Sequence, residues 1–151
     1  MKHHYNEEED VQTAVNELHK TAKILLPLHE RQLGRLKKTL RDEELNLRTM
    51  KRNLRTGERR LVKCRSVYQE CLDDFANHHT GVILLHEKLH QTLEAEKRAR
   101  TKLLDQEAEN QTMTAEITRQ VELVDHTKKS IKACQKQIDK FEYILEQEDL
   151  T

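Results

Sequence analysis

The sequence has almost none of the residues from which compact domains build their turns and cores. Among 151 residues there are one proline, three glycines and no tryptophan, and aromatic residues make up only 3%. Proline and glycine mark most turns of a compact fold. Apolar residues are 35% and charged residues 36% of the chain, whereas ordinary domains have roughly 45–50% and 25%. The composition therefore argues against an ordinary globular domain.

Other absences narrow the function classes. The net charge is zero, so the field of the whole chain gives no reason to expect nucleic acid or acidic lipid as a partner. No apolar run approaches the ~18 residues of a membrane span, and the first ten residues, MKHHYNEEED, lack the apolar segment of a signal peptide. Three cysteines without paired spacing suit a reducing compartment. We expect a soluble cytoplasmic protein.

Sequence features of catalysis are also missing. The chain has no glycine-rich phosphate loop, no serine nucleophile elbow and no CxxC pair. We therefore expect no cofactor, no catalytic residue and no enzymatic activity.

What the chain has instead is a heptad repeat. Apolar residues recur at alternating steps of three and four from Leu33 to Leu145 in one unbroken register, which predicts helices packed along a narrow seam. The predicted seam residues, at the a and d positions, are Leu33, Leu36, Leu40, Leu47, Met50, Leu54, Leu61, Cys64, Tyr68, Cys71, Phe75, Val82, Leu85, Leu89, Leu103, Met113, Ile117, Val124, Ile131, Cys134, Ile138, Phe141 and Leu145. Four polar residues interrupt this seam: Glu43, His78, Glu96 and Asn110. Polar residues at such positions lower the stability of a coiled coil but fix the register of its helices.

The repeat predicts an all-α fold, an elongated coiled coil in three segments. Residues 1–10 form a polar acidic tail, residues 11–26 a short amphipathic helix, and residues 27–148 a long coiled-coil helix. Pro27 removes an amide donor and clashes one turn back, and the apolar spacing before it is out of phase with the later register. We therefore expect a kink or a short break near Pro27.

A second fold remains open, because Gly81 follows Asn77, two histidines and Thr80. A turn at 77–81 would make a two-helix antiparallel hairpin of nearly equal arms. The heptad phase, however, is preserved across Gly57 and Gly81, and one glycine in a helix costs only about 1 kcal/mol relative to alanine. This favours a continuous helix, which would extend roughly 170 Å.

A heptad helix cannot bury its apolar stripe alone, so the repeat predicts a partner helix. The e and g positions contain few complementary charge pairs for a parallel homodimer, and several of them are apolar. These flanking apolar residues are Val67, Leu72, Leu93, Val121, Leu123 and Ile144. A wider apolar face suggests contact with more than one neighbour, and it favours a hetero-oligomer with other coiled-coil chains over a homodimer.

Charge is concentrated between residues 31 and 65, where thirteen Lys and Arg stand against four Asp and Glu, a local net charge of +9. One interpretation is a solvated surface balanced by a neighbouring helix; the other is a docking face for an acidic partner such as the tails of tubulin. No aromatic residues are interleaved for base stacking, so nucleic acid is not expected. The thirteen residues of this basic face are Arg31, Arg35, Lys37, Lys38, Arg41, Arg48, Lys51, Arg52, Arg55, Arg59, Arg60, Lys63 and Arg65.

One short motif matches a metal site. Residues 86–90, HEKLH, fit the H-E-x-x-H pattern in which two histidines one turn apart bind zinc and the glutamate acts as a base. The match departs from zinc peptidases at Lys88, which is charged, and at Leu93, where the extended motif has glycine, and no cleft or third ligand is evident. We therefore expect surface histidines and no metal.

The three cysteines, Cys64, Cys71 and Cys134, all fall at d positions. There they act as small buried hydrophobes, although a disulfide across two chains is a second possibility under oxidising conditions.

In type, though not in any specific motif, the pattern resembles cytoskeletal coiled-coil proteins. That resemblance implies a non-catalytic structural or scaffold subunit that acts as a spacer or tether. A microtubule-based assembly, the axoneme of a cilium or the centrosome, is the favoured setting because of the basic face. The alternative is a helical-hairpin adaptor in a soluble tethering or kinetochore-type complex.

Overall fold

The chain folds into two long α-helices that pack against each other. The computed structural model describes the backbone of residues 2–79 and 86–149 and the side chains of residues 7–77 and 86–147. Helix α1 spans Lys2–His79 and helix α2 spans His86–Asp149, and these described residues contain no strand. The prediction of an all-α protein is confirmed. Both helices are rich in Leu, Glu, Lys, Arg and Gln, which are strong helix formers.

The chain divides into two compact units, and each unit consists of one segment of α1 and one segment of α2. The first unit combines α1 up to Glu44 with α2 from Glu122 onward, and the second consists of residues 45–121. In the first unit Glu43 contacts Thr127 and His29 contacts Phe141. Earlier residues of α1 thus meet later residues of α2, so the two segments run in opposite directions. The same is true within the second unit.

These contacts differ from the favoured prediction of one continuous helix over 27–148. In a straight helix Glu43 and Thr127 would be roughly 125 Å apart, yet the Thr127 hydroxyl lies 2.8 Å from a carboxylate oxygen of Glu43. At this position the heptad stripe is therefore in contact with the other helix of the same chain. The alternative turn at 77–81 falls partly within α1, which continues to His79, and its remaining residues lie outside those described.

The predicted boundaries at residues 10 and 26 also do not appear as helix ends. Helix α1 begins at Lys2 and passes through Pro27. Pro27 lies on the exposed side of the helix, where water can solvate a carbonyl that lacks an amide partner. The helix is packed on both sides of Pro27. Before it, Ala22 is only 1% exposed; after it, the ring of His29 is tilted against that of Phe141, with centroids 5.3 Å apart. This packing supports a continuous helix.

Candidate interaction surfaces

In the first unit the seam is tightly packed near the end of α2. Ile138 is 3% exposed, Val124 5% and Cys134 6%. The thiol of Cys134 also donates a hydrogen bond across the seam to the backbone carbonyl of His29, at 3.3 Å. These small and branched side chains form the best-buried apolar cluster of this unit.

A polar pair is buried in the same seam. The hydroxyl of Thr127, a residue only 5% exposed, lies 2.8 and 3.0 Å from the two carboxylate oxygens of half-buried Glu43. Burying a carboxylate is costly unless hydrogen bonds compensate for lost water. A slip of one heptad along either helix would separate the pair, so it favours one register, the role predicted for Glu43.

We expect Thr127→Val to lower the free energy of unfolding by about 1 kcal/mol, because valine keeps the shape but removes a hydrogen bond to a charged group. The change should be measured by urea denaturation. Thr118→Val is the matched control, since the Thr118 hydroxyl is exposed and donates a hydrogen bond to the carbonyl of Thr114, one turn earlier on the same helix. Equal losses in the two variants would show that the Glu43 contact contributes nothing specific.

The second unit contains a glycine hole filled by a polar side chain. Gly57 is buried, and a Cβ placed there would overlap Oδ1 of Asn110 and come within 2.7 Å of Cε of Met113. Asn110 is 8% exposed, and its Oδ1 accepts a hydrogen bond from Nε2 of Gln106 at 2.9 Å. The missing side chain of Gly57 is therefore what admits Asn110 into the seam.

A third polar position of the seam also has a partner on the other helix. The hydroxyl of Tyr68 donates a hydrogen bond to Oε1 of Glu96 at 3.2 Å. Arg100, one turn further along α2, places its Nε 3.9 Å from the same oxygen. Glu43, Asn110 and Glu96 thus each meet a different complementary residue, and the side chain of His78 lies outside those described.

Most of the predicted seam residues are buried or half-buried. Val124, Cys134 and Ile138 are buried, and the others are half-buried, apart from Phe75 and Leu89, which are 37% and 36% exposed. Val82 and Leu85 lie outside the described residues. The helices cover each other on one side only, which explains why half-burial is the rule.

Sequence reasoning missed the part of the seam that precedes Leu33. His19, Ala22, Leu26 and His29 are buried or half-buried there, and they continue the later register backward in steps of three and four. Val11, Val15 and Leu18, which seemed to define a separate register, are 64%, 44% and 50% exposed. Stepping the heptad back through Pro27 would have found these positions despite their small or polar side chains.

Apolar side chains beside the seam remain open. Five of the six flanking residues, Val67, Leu72, Leu93, Val121 and Leu123, are between 37% and 51% exposed, and Ile144 is half-buried. In the second unit Leu54 and Leu61 line a groove of about 440 Å³ with Asn110 and Thr114. Packing within the chain therefore leaves apolar surface along the edges of the seam.

The residues singled out for metal or redox chemistry are not assembled into a site. His86 and His90 are exposed on the first turns of α2, and the described residues contain no group of three or more His, Cys, Asp or Glu that could hold a metal ion. The cysteines are free thiols: Cys134 is buried, and Cys64 and Cys71 are half-buried.

All thirteen residues of the basic face are exposed. Across the part of the chain that the structure describes, one of them, Arg65, has an acidic partner on α2, with 3.9 Å between its Nη2 and Oε1 of Glu107. Acidic side chains of α2 therefore compensate positive charge at the edge of the seam, but not on the outward side of α1.

Neither described helix combines the length and the apolar character needed to cross a membrane.

The chain matches no protein-family model, no curated protein and no solved structure, so its function has to be inferred from its own residues.

Proposed function

We propose that the chain is a non-catalytic scaffold subunit built as an antiparallel helical hairpin, which holds components of a larger assembly at a set spacing. The observation that carries this proposal is the set of cross-helix polar contacts. Glu43 with Thr127 in the first unit, and Tyr68 with Glu96 in the second, favour one register of α1 against α2. Long helices held in a fixed register are suited to spacing and tethering.

Partner chains are supported by the flanks of the seam. The hairpin covers its own a and d positions, so partners would contact the residues beside them. Leu72, Leu93, Val121 and Leu123 are residues of the kind that such contacts bury, because they are apolar and between 37% and 48% exposed. Apolar side chains at the positions that flank a seam widen the face that a further helix can cover. We therefore propose a hetero-oligomer with other helical chains.

The basic face supports a cytoskeletal setting. Thirteen exposed cationic side chains within 35 residues of one helix would attract an acidic filament surface, and such attraction weakens as salt rises. We propose a microtubule-based assembly, in a cilium or at the centrosome, with a cytoplasmic location. A soluble tethering or kinetochore-type complex is the second candidate. A helical hairpin suits such a complex as well as it suits a microtubule-based assembly.

Cross-linking tests the hairpin. In a mixture of ¹⁴N- and ¹⁵N-labelled protein, we expect lysine cross-links between Lys63 and Lys102 and between Lys38 and Lys129, each within one isotope population. In a straight helix these pairs would be roughly 58 and 137 Å apart, out of reach of a short cross-linker. Cross-links of these lysine pairs between differently labelled chains, at the proportion expected for random pairing of the two populations, would contradict the hairpin.

Co-sedimentation with microtubules tests the setting. We expect salt-sensitive binding, strong at low ionic strength and reduced at moderate ionic strength, because exposed charges are screened. Absence of binding at both ionic strengths, with or without partner chains, would exclude the microtubule version and leave the soluble complex.

A further inference from the structure

Five cationic side chains form a straight row on the outward side of α1 in the second unit. Arg48, Arg52, Arg55, Arg59 and Lys63, here called the basic stripe, follow one another at steps of four, three, four and four residues. Such steps return to one face of a helix, and all five side chains are exposed. The stripe runs from Arg48 to Lys63, which are about 22 Å apart along the helix.

No acidic side chain of the described residues forms an ion pair with the stripe. The ion pairs found in this unit are those of Arg65 with Glu107 and of Arg100 with Glu96, at or beside the seam. Glu58 is the one acidic residue between positions 45 and 63, and it lines the groove beside the seam. The stripe is thus an uncompensated row of positive charge on a rigid support.

The two ends of the stripe carry exposed apolar side chains. Leu45 is 61% exposed and Val62 is 64% exposed, and at 100° per residue each lies within about 60° of the centre line of the stripe. They are 17 residues apart, or about 26 Å along the helix. A ligand that carries both carboxylates and apolar groups would use the whole surface.

We propose that the basic stripe docks an acidic segment of a partner polypeptide, with carboxylates along the arginines and an apolar residue at either end against Leu45 and Val62. Arginine binds carboxylates through two parallel hydrogen bonds. A nucleic acid fits less well, because this surface has no aromatic side chain on which bases could stack. Tyr68, the nearest aromatic residue, is engaged in the seam with Glu96. This inference rests on the proposed scaffold role and adds the chemistry of one partner.

Fluorescence anisotropy tests the docking. The probes are a labelled glutamate-rich peptide with a leucine near each end, the same peptide with serine in place of leucine, and a labelled oligothymidylate of equal charge. The variants are R52Q/R55Q/R59Q and, as a control with the same loss of charge, K128Q/K129Q/K132Q, whose lysines are exposed on α2.

We expect the stripe variant to weaken peptide binding about tenfold at low salt, and the control to weaken it less than threefold, since each exposed pair contributes modestly. The serine peptide should bind more weakly than the leucine peptide. Equal losses in both variants, no peptide binding at low salt, or tighter binding of the oligothymidylate would each overturn the proposal. Circular dichroism and the cross-linking pattern provide the check on folding. Intact Lys63–Lys102 cross-links without peptide binding would remove the docking site and leave the hairpin scaffold standing.

Discussion

Ile138→Ala is expected to lower the free energy of unfolding by about 3 kcal/mol, the largest effect of any single truncation considered for this chain. Ile138 is 3% exposed, and removing buried methyl and methylene groups costs both their transfer free energy and the cavity left behind. The neighbouring seam contains a hydrogen bond of Cys134 to the His29 carbonyl, which limits how far the helices can close over the gap. Urea denaturation followed by circular dichroism measures the change.

Leu123→Ala is the matched control, because Leu123 lies on the same segment of α2 but is 46% exposed. Its truncation removes less buried area, and we expect a loss of under about 1 kcal/mol. If both truncations have the same effect, the apolar residues beside the seam are buried by something other than the contact between the helices, such as self-association. Repeating the measurement at several protein concentrations would reveal that case.

The positions of the seam could be predicted because heptad spacing reports directly on which helix face is buried. Leu40, Leu61 and Ile117 were assigned from spacing alone and are half-buried. The partner of each residue could not be predicted in this way. To predict that Glu43 pairs with Thr127, one must know the axial offset between α1 and α2. This offset depends on the chain between the helices and on contacts that no single helix reveals.

The preserved heptad phase was misleading as evidence for one continuous helix. Phe75 and Leu89 are both a positions, and their spacing of 14 positions equals two heptads. Each helix of an antiparallel pair keeps its own register, so an intervening segment of two heptads leaves the phase unchanged although α1 ends at His79 and α2 begins at His86. Phase alone therefore does not distinguish one helix from two.

The short break expected near Pro27 is absent, because α1 continues through this residue. The rule that proline ends a helix reflects a local cost of about 3 kcal/mol. Packing of a long helix on both sides can exceed that cost, as at Ala22 and His29. The exposed position of Pro27 reduces the cost further, because the affected carbonyl need not be buried. Burial of this kind depends on the partner helix and is invisible to a local rule.

The thirteen cationic residues between positions 31 and 65 are all exposed, but they do not share one environment. Arg65 lies at the edge of the seam beside Glu107, whereas Arg52, Arg55 and Arg59 face outward. Helical spacing separates these groups once the seam is known. The opposite helix determines which of the charges are compensated. That this helix is α2 of the same chain is known only from the structure.

Gly57→Leu is expected to destabilise the second unit by about 2 kcal/mol, because overpacking a buried site outweighs the gain of about 1 kcal/mol in helix propensity. The new side chain would start where Oδ1 of Asn110 lies and within 2.7 Å of Met113. Met113 is flexible and can move, but Asn110 is short and buried, so the helices must separate locally. Urea denaturation, with hydrogen exchange to locate the loosened region, measures the effect.

Two further variants separate overpacking from the general effect of replacing a glycine. Gly34→Ala has nothing within 4 Å of the added Cβ, so it should stabilise the protein by about 1 kcal/mol through helix propensity. Asn110→Ala removes the obstructing oxygen together with Nδ2, which is buried without a hydrogen-bond partner among the described residues. The double variant Gly57→Leu/Asn110→Ala should therefore recover at least about 1 kcal/mol relative to the sum of the single changes. Strict additivity would mean that Gly57 and Asn110 do not meet across the seam, and that the register of the second unit is set elsewhere.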